Sequence, residues 1–262
     1  MSVPTLSIVC MAVAMVFAFG LPFALLFYYR KKGAQALPFF VGCAVFVLFA
    51  LILESLMHQL VLKTLPVGEK IMGNTLLYAL YGGMAAGVFE ETGRFLAFQT
   101  VLKKRLDNDR NALMYGAGHG GIEAILLVGF AYVSNLVMSA MINMGLTDKL
   151  TAGLSGDLLT QTQAIFATLT GTPPWTYLLA MVERCVAVTI HICLSVLVWF
   201  AVKKPGKGWL FPLAILLHTA FDGLMVLLAA SLPLYAVEGC LVVMALLLAV
   251  FARRVWKRNA TV

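Results

Sequence analysis

Charged residues are scarce in this chain. Only 12% of its 262 residues are Asp, Glu, Lys or Arg, whereas 61% are apolar and the mean hydropathy is +0.93. A soluble domain carries about 25% charged and 45–50% apolar residues, so this composition cannot cover a water-facing surface. A soluble globular fold is therefore excluded, and the sequence predicts an all-α, polytopic transmembrane helix bundle surrounded by a lipid bilayer.

Several common sequence signals are also missing. The five cysteines lie inside apolar runs without a CxxC pair, so neither a disulfide framework nor a zinc knuckle is indicated. A cleaved signal peptide carries a basic residue before its apolar region. No Lys or Arg precedes the first apolar run of this chain, so we interpret this run as the first span. The net charge of +7 is interpreted as membrane topology, with no nucleic-acid partner expected.

Seven apolar runs are long enough to cross a bilayer, which takes about 20 residues each. Charged or Pro/Gly-containing connections separate them, and residues 1–262 are expected to form a single integral membrane domain. The predicted spans are 5–29, 37–62, 73–101, 112–143, 174–202, 209–230 and 233–252.

Basic residues occur in alternate connections. Fourteen of the 19 Lys and Arg residues follow the first, third, fifth and seventh predicted spans. The positive-inside rule places these segments in the cytoplasm, with the N-terminus outside and the C-terminus cytoplasmic. The long connection 144–173 then lies outside, and the spacing of its apolar residues suits a helix on the membrane surface.

Ionisable residues nevertheless occur inside the predicted spans, where they are costly and usually face a bundle interior or a wet cavity. All four histidines are among them. A spacing of four residues places two side chains on one face of a helix. Four pairs have this spacing: Glu54/His58, Glu90/Arg94, His119/Glu123 and His218/Asp222.

Four spans carry an acid or an imidazole at a similar depth. At a rise of about 1.5 Å per residue, each lies roughly 14–20 Å from the nearest basic cluster. These residues are Glu90, His119, His191 and His218. We therefore predict that the third to sixth spans surround one wet pocket, while Glu54 and His58, whose role stays open, lie nearer the outer side.

This set of residues suits hydrolysis. Glu90 and Glu91 point about 100° apart on a helix, so one can pair with Arg94 while the other takes a proton from water. Either glutamate can reach the guanidinium, so the identity of the base stays open at this point. The two dyads formed by His119 with Glu123 and by His218 with Asp222 supply imidazoles oriented by carboxylates, as oxyanion donors or metal ligands.

Three motifs carry a resemblance to a known family. They are Glu90-Glu91-x-x-Arg94, Gly118-His119-Gly120-Gly121-x-Glu123 and His218-x-x-x-Asp222. They resemble the YhfC family of intramembrane metalloproteases, which is related to the CAAX prenyl endopeptidase and bacteriocin-processing group and to the PrsW proteases. The resemblance implies a multi-pass peptidase of a bacterial plasma membrane that acts on a membrane-embedded or membrane-associated peptide.

The resemblance also implies roles. Glu90 would be the general base that activates water, Glu91 its partner toward Arg94, and His218 with Asp222 would polarise the scissile carbonyl. His119 matches the second-motif histidine, whereas the Glu123 position has no counterpart in the prenyl endopeptidases. Their arginine also comes one residue later, as EExxxR, so the glutamate that Arg94 holds is not fixed by the motif.

The metal question stays open in the sequence. Catalytic zinc takes three protein ligands and a water, which His119, His191 and His218 could supply with Glu123 or Asp222 nearby. HExxH is absent, however, and the related prenyl endopeptidases are argued to use a glutamate-activated water without zinc. Both a zinc-assisted and a metal-free reaction are therefore carried forward.

Other classes of protein also place such residues in a membrane. An ion- or proton-coupled transporter would do so, but it is typically built from related halves with broken helices, which the sequence does not show. A haem protein would use facing histidines in apolar surroundings. A non-catalytic membrane scaffold or chaperone would need no Glu90, so the scaffold and the transporter are kept as alternatives to the peptidase.

Overall fold

Long apolar helices make up most of the chain. The computed structural model describes residues 2–261 and has no β-strand in that range. In chain order the helices are α1 (Thr5–Lys31), α2 (Leu37–Thr64), α3 (Val67–Met72), α4 (Thr75–Gln99), α5 (Arg110–Asn143), α6 (Thr147–Thr151), α7 (Gly156–Gly171), α8 (Thr176–Lys203), α9 (Leu210–Ala229) and α10 (Leu234–Asn259). Six of these are long and apolar enough to cross a membrane: α1, α2, α5, α8, α9 and α10. The predicted all-α polytopic bundle is thereby confirmed.

Helix α4 corresponds to the third predicted span. It has 25 residues, which at a rise of about 1.5 Å per residue gives roughly 37 Å, enough to cross a bilayer. It is not among the six apolar helices because it carries Glu90, Glu91 and Arg94 together with several glycines. The count of seven spans, and with it the orientation, stays a prediction.

Two of the long helices contain wider, π-helical turns. They occur at Val47–Glu54 and Gln59–Thr64 in α2 and at Ile125–Phe130 in α5. Such turns accommodate an extra residue within a helix, and they are frequent at functional sites. In α2 they flank the segment that carries His58.

Contacts divide the described residues into two compact units. The smaller comprises residues 2–21 and 124–184, and the larger comprises residues 22–123 and 185–261. The prediction of one domain concerns how these units assemble, and it stays a prediction. In the smaller unit, the Asn143 side chain accepts a hydrogen bond from Val3 N at 2.7 Å and donates one to Val3 O at 3.1 Å. The connection 144–173 does form a helix, α7, whose Phe166 and Leu169 are buried in this unit's core.

The larger unit contains every residue of the predicted pocket. Its core includes large, fully buried side chains of α4, α5 and α8, among them Phe98, Tyr115 and Trp199. Asp109, just before α5, ties this unit together at its basic end. Its carboxylate accepts hydrogen bonds from Trp199 Nε1 at 2.8 Å, Lys203 Nζ at 2.6 Å and Thr261 N at 2.8 Å.

Candidate metal centre

Glycines let α4 approach α9 closely. A Cβ atom at Gly83 would lie 2.4 Å from Thr219 O, and one at Gly87 would lie 2.6 Å from Thr219 Oγ1. No side chain larger than hydrogen fits at such distances, so the two backbones can touch only because these positions are glycine. This contact brings Glu90 and Glu91 of α4 next to His218 of α9.

Glycines also place His119. A Cβ atom at Gly118 would lie 2.0 Å from Phe39 O of α2, and one at Gly116 would lie 2.5 Å from Ile192 Cα of α8. Helix α5 is therefore in backbone contact with α2 on one side and α8 on the other. His119 lies where the three helices meet, and it is fully buried with its ring edge-on to Phe46 at 5.3 Å.

One carboxylate oxygen faces three imidazoles. Glu90 Oε2 lies 2.8 Å from His119 Nε2, 3.9 Å from His191 Nδ1 and 4.0 Å from His218 Nε2. All four residues are buried. The structure thus brings together the four groups that the sequence matched by depth.

Further carboxylates orient two of the rings. Glu123 Oε2 accepts a hydrogen bond from His191 Nε2 at 2.7 Å, and Glu91 Oε1 accepts one from His218 Nδ1 at 2.7 Å. A carboxylate behind an imidazole fixes its orientation and tautomer, as is usual for metal-binding histidines. His191, which lies outside the three sequence motifs, therefore belongs to the cluster.

Arg94 contacts Glu91 and not Glu90. Its Nη1 donates to both carboxylate oxygens of Glu91, and its Nη2 lies 3.2 Å from His191 Nδ1. Both members of the Arg94–Glu91 pair are completely buried. The structure therefore distinguishes the two glutamates, which the sequence left equivalent.

Only one of the two predicted dyads forms. His119 is hydrogen-bonded to Glu90 on α4, and Glu123 is hydrogen-bonded to His191 on α8. The predicted contact between His119 and Glu123 is therefore replaced by contacts to neighbouring helices. Both side chains share one face of α5, and each meets a different helix there. His218 and Asp222 do lie together, with Nε2 and Oδ2 3.4 Å apart, and the Asp222 side chain is 45% exposed.

Two tyrosines near these residues were not predicted from the sequence. The guanidinium carbon of Arg94 lies over the Tyr115 ring, 6.0 Å from the ring centroid. Tyr115 precedes His119 by four residues and so shares its helix face, a spacing that could have predicted its place beside the cluster. Tyr81 Oη lies 2.9 Å from His58 Nδ1, and Glu54 Oε1 lies 3.2 Å from His58 Nε2. Glu54 and His58 thus form a separate hydrogen-bonded group with α4.

The cluster fits a divalent cation. Ligand atoms of Glu90, His119 and His191 all lie within 4.8 Å of one another, and one carboxylate with two imidazoles is a donor set found in zinc peptidases. His119 Nδ1 is buried without a hydrogen-bond partner among residues 2–261. The hydrogen-bonded cluster also contains four carboxylates and one guanidinium, an excess that a divalent cation would offset.

The three candidate ligands are Glu90, His119 and His191, whereas the sequence predicted His119, His191 and His218. Acidic oxygens face both ring nitrogens of His218, Glu91 at Nδ1 and Asp222 at Nε2. That arrangement suits a ring that donates two hydrogen bonds better than one that offers a lone pair to a metal. His119 and His191 remain as candidate ligands.

The fold and the buried glutamate–histidine cluster define a class, a multi-pass membrane protein with a candidate metal centre inside its helices. The family profile described as "YhfC intramembrane metalloprotease" matches residues 15–250, so the chain belongs to the YhfC family. It is 36% identical over 217 residues to the "Uncharacterized membrane protein YhfC" of Bacillus subtilis (strain 168), covering 82% of this chain and 83% of that protein. No solved structure matches significantly. The YhfC resemblance is thereby confirmed.

Proposed function

We propose that the protein is an intramembrane peptidase that hydrolyses a peptide bond of a membrane substrate with water activated by Glu90. One observation carries this proposal: a buried carboxylate oxygen of Glu90 faces the nitrogens of His119, His191 and His218 at 2.8, 3.9 and 4.0 Å. The family description supports the reaction class. A charged network this costly inside a membrane is typical of a functional site.

Glu90 rather than Glu91 is the proposed base. The carboxylate of Glu91 is occupied by Arg94 and His218, whereas Glu90 Oε1 has no hydrogen bond within the described chain. This oxygen can take the proton of an attacking water and later give it to the amine that leaves. Glu91 then acts as the buried partner that keeps Arg94 and His218 in place.

His218 is the proposed donor to the scissile carbonyl. Glu91 orients its ring through Nδ1, so Nε2 points toward Glu90 and Asp222. A donor fixed in this way stabilises the negative charge that develops on the carbonyl oxygen when water adds to the carbon. Asp222 lies at the exposed edge of the cluster, where a substrate segment can enter.

Zinc would be held by Glu90, His119 and His191, and when bound it would supply a Lewis acid and a more acidic water. Glu123 accepts a hydrogen bond from His191 Nε2 and so would orient this ring with or without zinc. We propose further that the N-terminus lies outside and that the reaction takes place within a bacterial plasma membrane. The substrate is a membrane-embedded or membrane-associated peptide.

Comparison of new protein N-termini in the membranes of producing cells tests this function. Cells that produce the wild type are compared with cells that produce Glu90→Gln, and exposed Glu69→Gln serves as the matched control. We expect N-termini that appear with the wild type and the control but not with Glu90→Gln. Identical sets from all three proteins, at equal amounts of folded protein, would contradict the peptidase and favour the scaffold or the transporter.

A further inference from the structure

An apolar groove runs along one side of α10. Its walls come from α5, α8 and α10, and its volume is about 240 Å³. Small side chains form much of its lining, so the groove exists because Cys193, Ala249 and Ala252 leave space between larger neighbours. The complete lining is Leu113, Ile192, Cys193, Val196, Ala249, Ala252, Arg253 and Trp256.

The groove has one charged end. Arg253 is its single charged lining residue, and Trp256 lies beside it. Tryptophan is typical of the membrane–water interface, so this end of the groove is expected to lie at the level of the lipid head groups. Lys257 follows Arg253 by one helical turn, and both are exposed.

The basic side chains at this end lack anionic partners. Within residues 2–261, Arg253, Arg254, Lys257 and Arg258 form no ion pair with any acid of the protein. An apolar slot that ends at unpaired cations complements a molecule with an apolar chain and an anionic head. Basic pockets between transmembrane helices bind anionic phospholipids in this way.

From this complementarity we infer that the groove binds one anionic phospholipid of the bilayer. An acyl chain lies between α8 and α10, and the phosphate contacts Arg253 and Lys257. The acyl chain would contact Ile192, the residue after His191. The backbone of Ile192 packs against Gly116 of α5. The bound lipid therefore supports the helix contact that positions a histidine of the candidate metal centre. This inference does not depend on the proposed peptidase activity.

Native mass spectrometry of the purified protein in detergent tests it. The protein is titrated with phosphatidylglycerol and, separately, with zwitterionic phosphatidylcholine of the same acyl chains. We expect one tightly bound phosphatidylglycerol and weaker binding of phosphatidylcholine. Arg253→Gln should weaken phosphatidylglycerol binding about fivefold, as expected for one basic residue near a lipid surface, while exposed Lys103→Gln should leave it unchanged.

Filling the groove separates the apolar from the ionic part of the inference. Ala249→Phe should reduce binding of both lipids, and Ala249→Leu provides a milder version if the first variant does not fold. Equal affinity for the two lipids, or wild-type phosphatidylglycerol binding by Arg253→Gln, would overturn the inference. Photo-cross-linking from a photoreactive residue at position 249 gives a second measurement. Cross-linking to a single-span model peptide, with no lipid bound in the groove, would also overturn the inference.

Discussion

Arg94 and Glu91, three residues apart on one helix, form a completely buried ion pair. Glu90, the neighbour of Glu91, takes no part in it. Two adjacent glutamates on one helix therefore have different surroundings. Glu91 faces a guanidinium and one imidazole, whereas Glu90 faces three imidazoles. The two side chains should respond differently to the same substitution.

Glu90→Gln should abolish activity without unfolding the protein. Loss of a general base costs about 10²–10⁴-fold in rate, and the amide keeps the shape of the side chain. Glu91→Gln should instead lower stability by about 3–5 kcal/mol, because it leaves the buried Arg94 charge without its partner. Thermal unfolding in detergent, measured beside the activity, separates the two effects. A larger loss of melting temperature in Glu90→Gln than in Glu91→Gln would contradict the assignment.

Zinc binding should depend on residues of three helices, because Glu90, His119 and His191 lie on α4, α5 and α8. We expect His119→Ala and His191→Ala to lose bound zinc, and Glu123→Gln to bind it about 10–100-fold more weakly because it supports His191 from behind. Elemental analysis after dialysis against a defined zinc concentration measures this. His58→Ala changes a histidine of the separate Glu54 group and serves as the control. Zinc retained by His119→Ala would remove His119 from the proposed ligands.

Neighbouring glycines of α4 should differ in their tolerance of alanine. Gly83→Ala should destabilise the protein and reduce activity, because the new Cβ would lie 2.4 Å from Thr219 O. A Cβ atom at Gly82 would have no neighbouring side chain or helix within 4 Å, so Gly82→Ala should be neutral or stabilising by about 0.5–1 kcal/mol. Unfolding temperatures of the two variants give the comparison. Equal effects would mean that α4 and α9 are not in backbone contact.

Asp109 should make stability depend on pH at the acidic end. Burial alone raises the pKa of this carboxyl, but hydrogen bonds from Lys203, Trp199 and the Thr261 backbone outweigh it and hold the pKa below its usual range. Because the folded pKa is the lower one, the stabilisation is present above the ordinary carboxyl pKa and is lost as pH falls through the folded value. Asp109→Asn should therefore melt earlier than the wild type at neutral pH, and the gap should close in strong acid. A gap that widens on acidification would reverse the sign.

Reporter fusions decide between six and seven spans. If α4 crosses the membrane, the two ends of the chain lie on opposite sides, with the basic C-terminal segment in the cytoplasm. Alkaline phosphatase inserted after Gly73, just before α4, and in a second fusion after Gly153 should then be active, and a green fluorescent protein at the C-terminus should fluoresce. Inactive phosphatase after Gly73, beside active phosphatase after Gly153, would mean that α4 does not cross, whereas inactive phosphatase after Gly153 would refute the orientation.

Depth and face were the parts of the site that the sequence could predict. Hydropathy located the helices, and counting residues from the basic clusters placed Glu90, His119, His191 and His218 at one level. That count works because a helix rises by a constant amount per residue.

Pairing between helices could not be predicted in the same way. The partner of His119 depends on which neighbour reaches it, and Glu90 of α4 does so while Glu123 turns to His191 of α8. The same holds for Arg94, which could reach either glutamate by spacing. The glycines around His119 were visible in the sequence, but only the packed helices reveal that Gly116, Gly118 and Gly120 admit a neighbouring backbone. Gly121 instead admits the ring of Pro22.

The wider turns of α2 make one part of this helix tolerant of a change in chain length. A stretch such as Val47–Glu54 accommodates about one residue more than a regular helix would over the same rise. Deleting one residue there would restore the regular pitch and leave His58 facing Tyr81, whereas the same deletion in a regular turn would rotate His58 by about 100°. Insertions and deletions in this segment can therefore change the spacing of the backbone while the side chains on either side keep their neighbours.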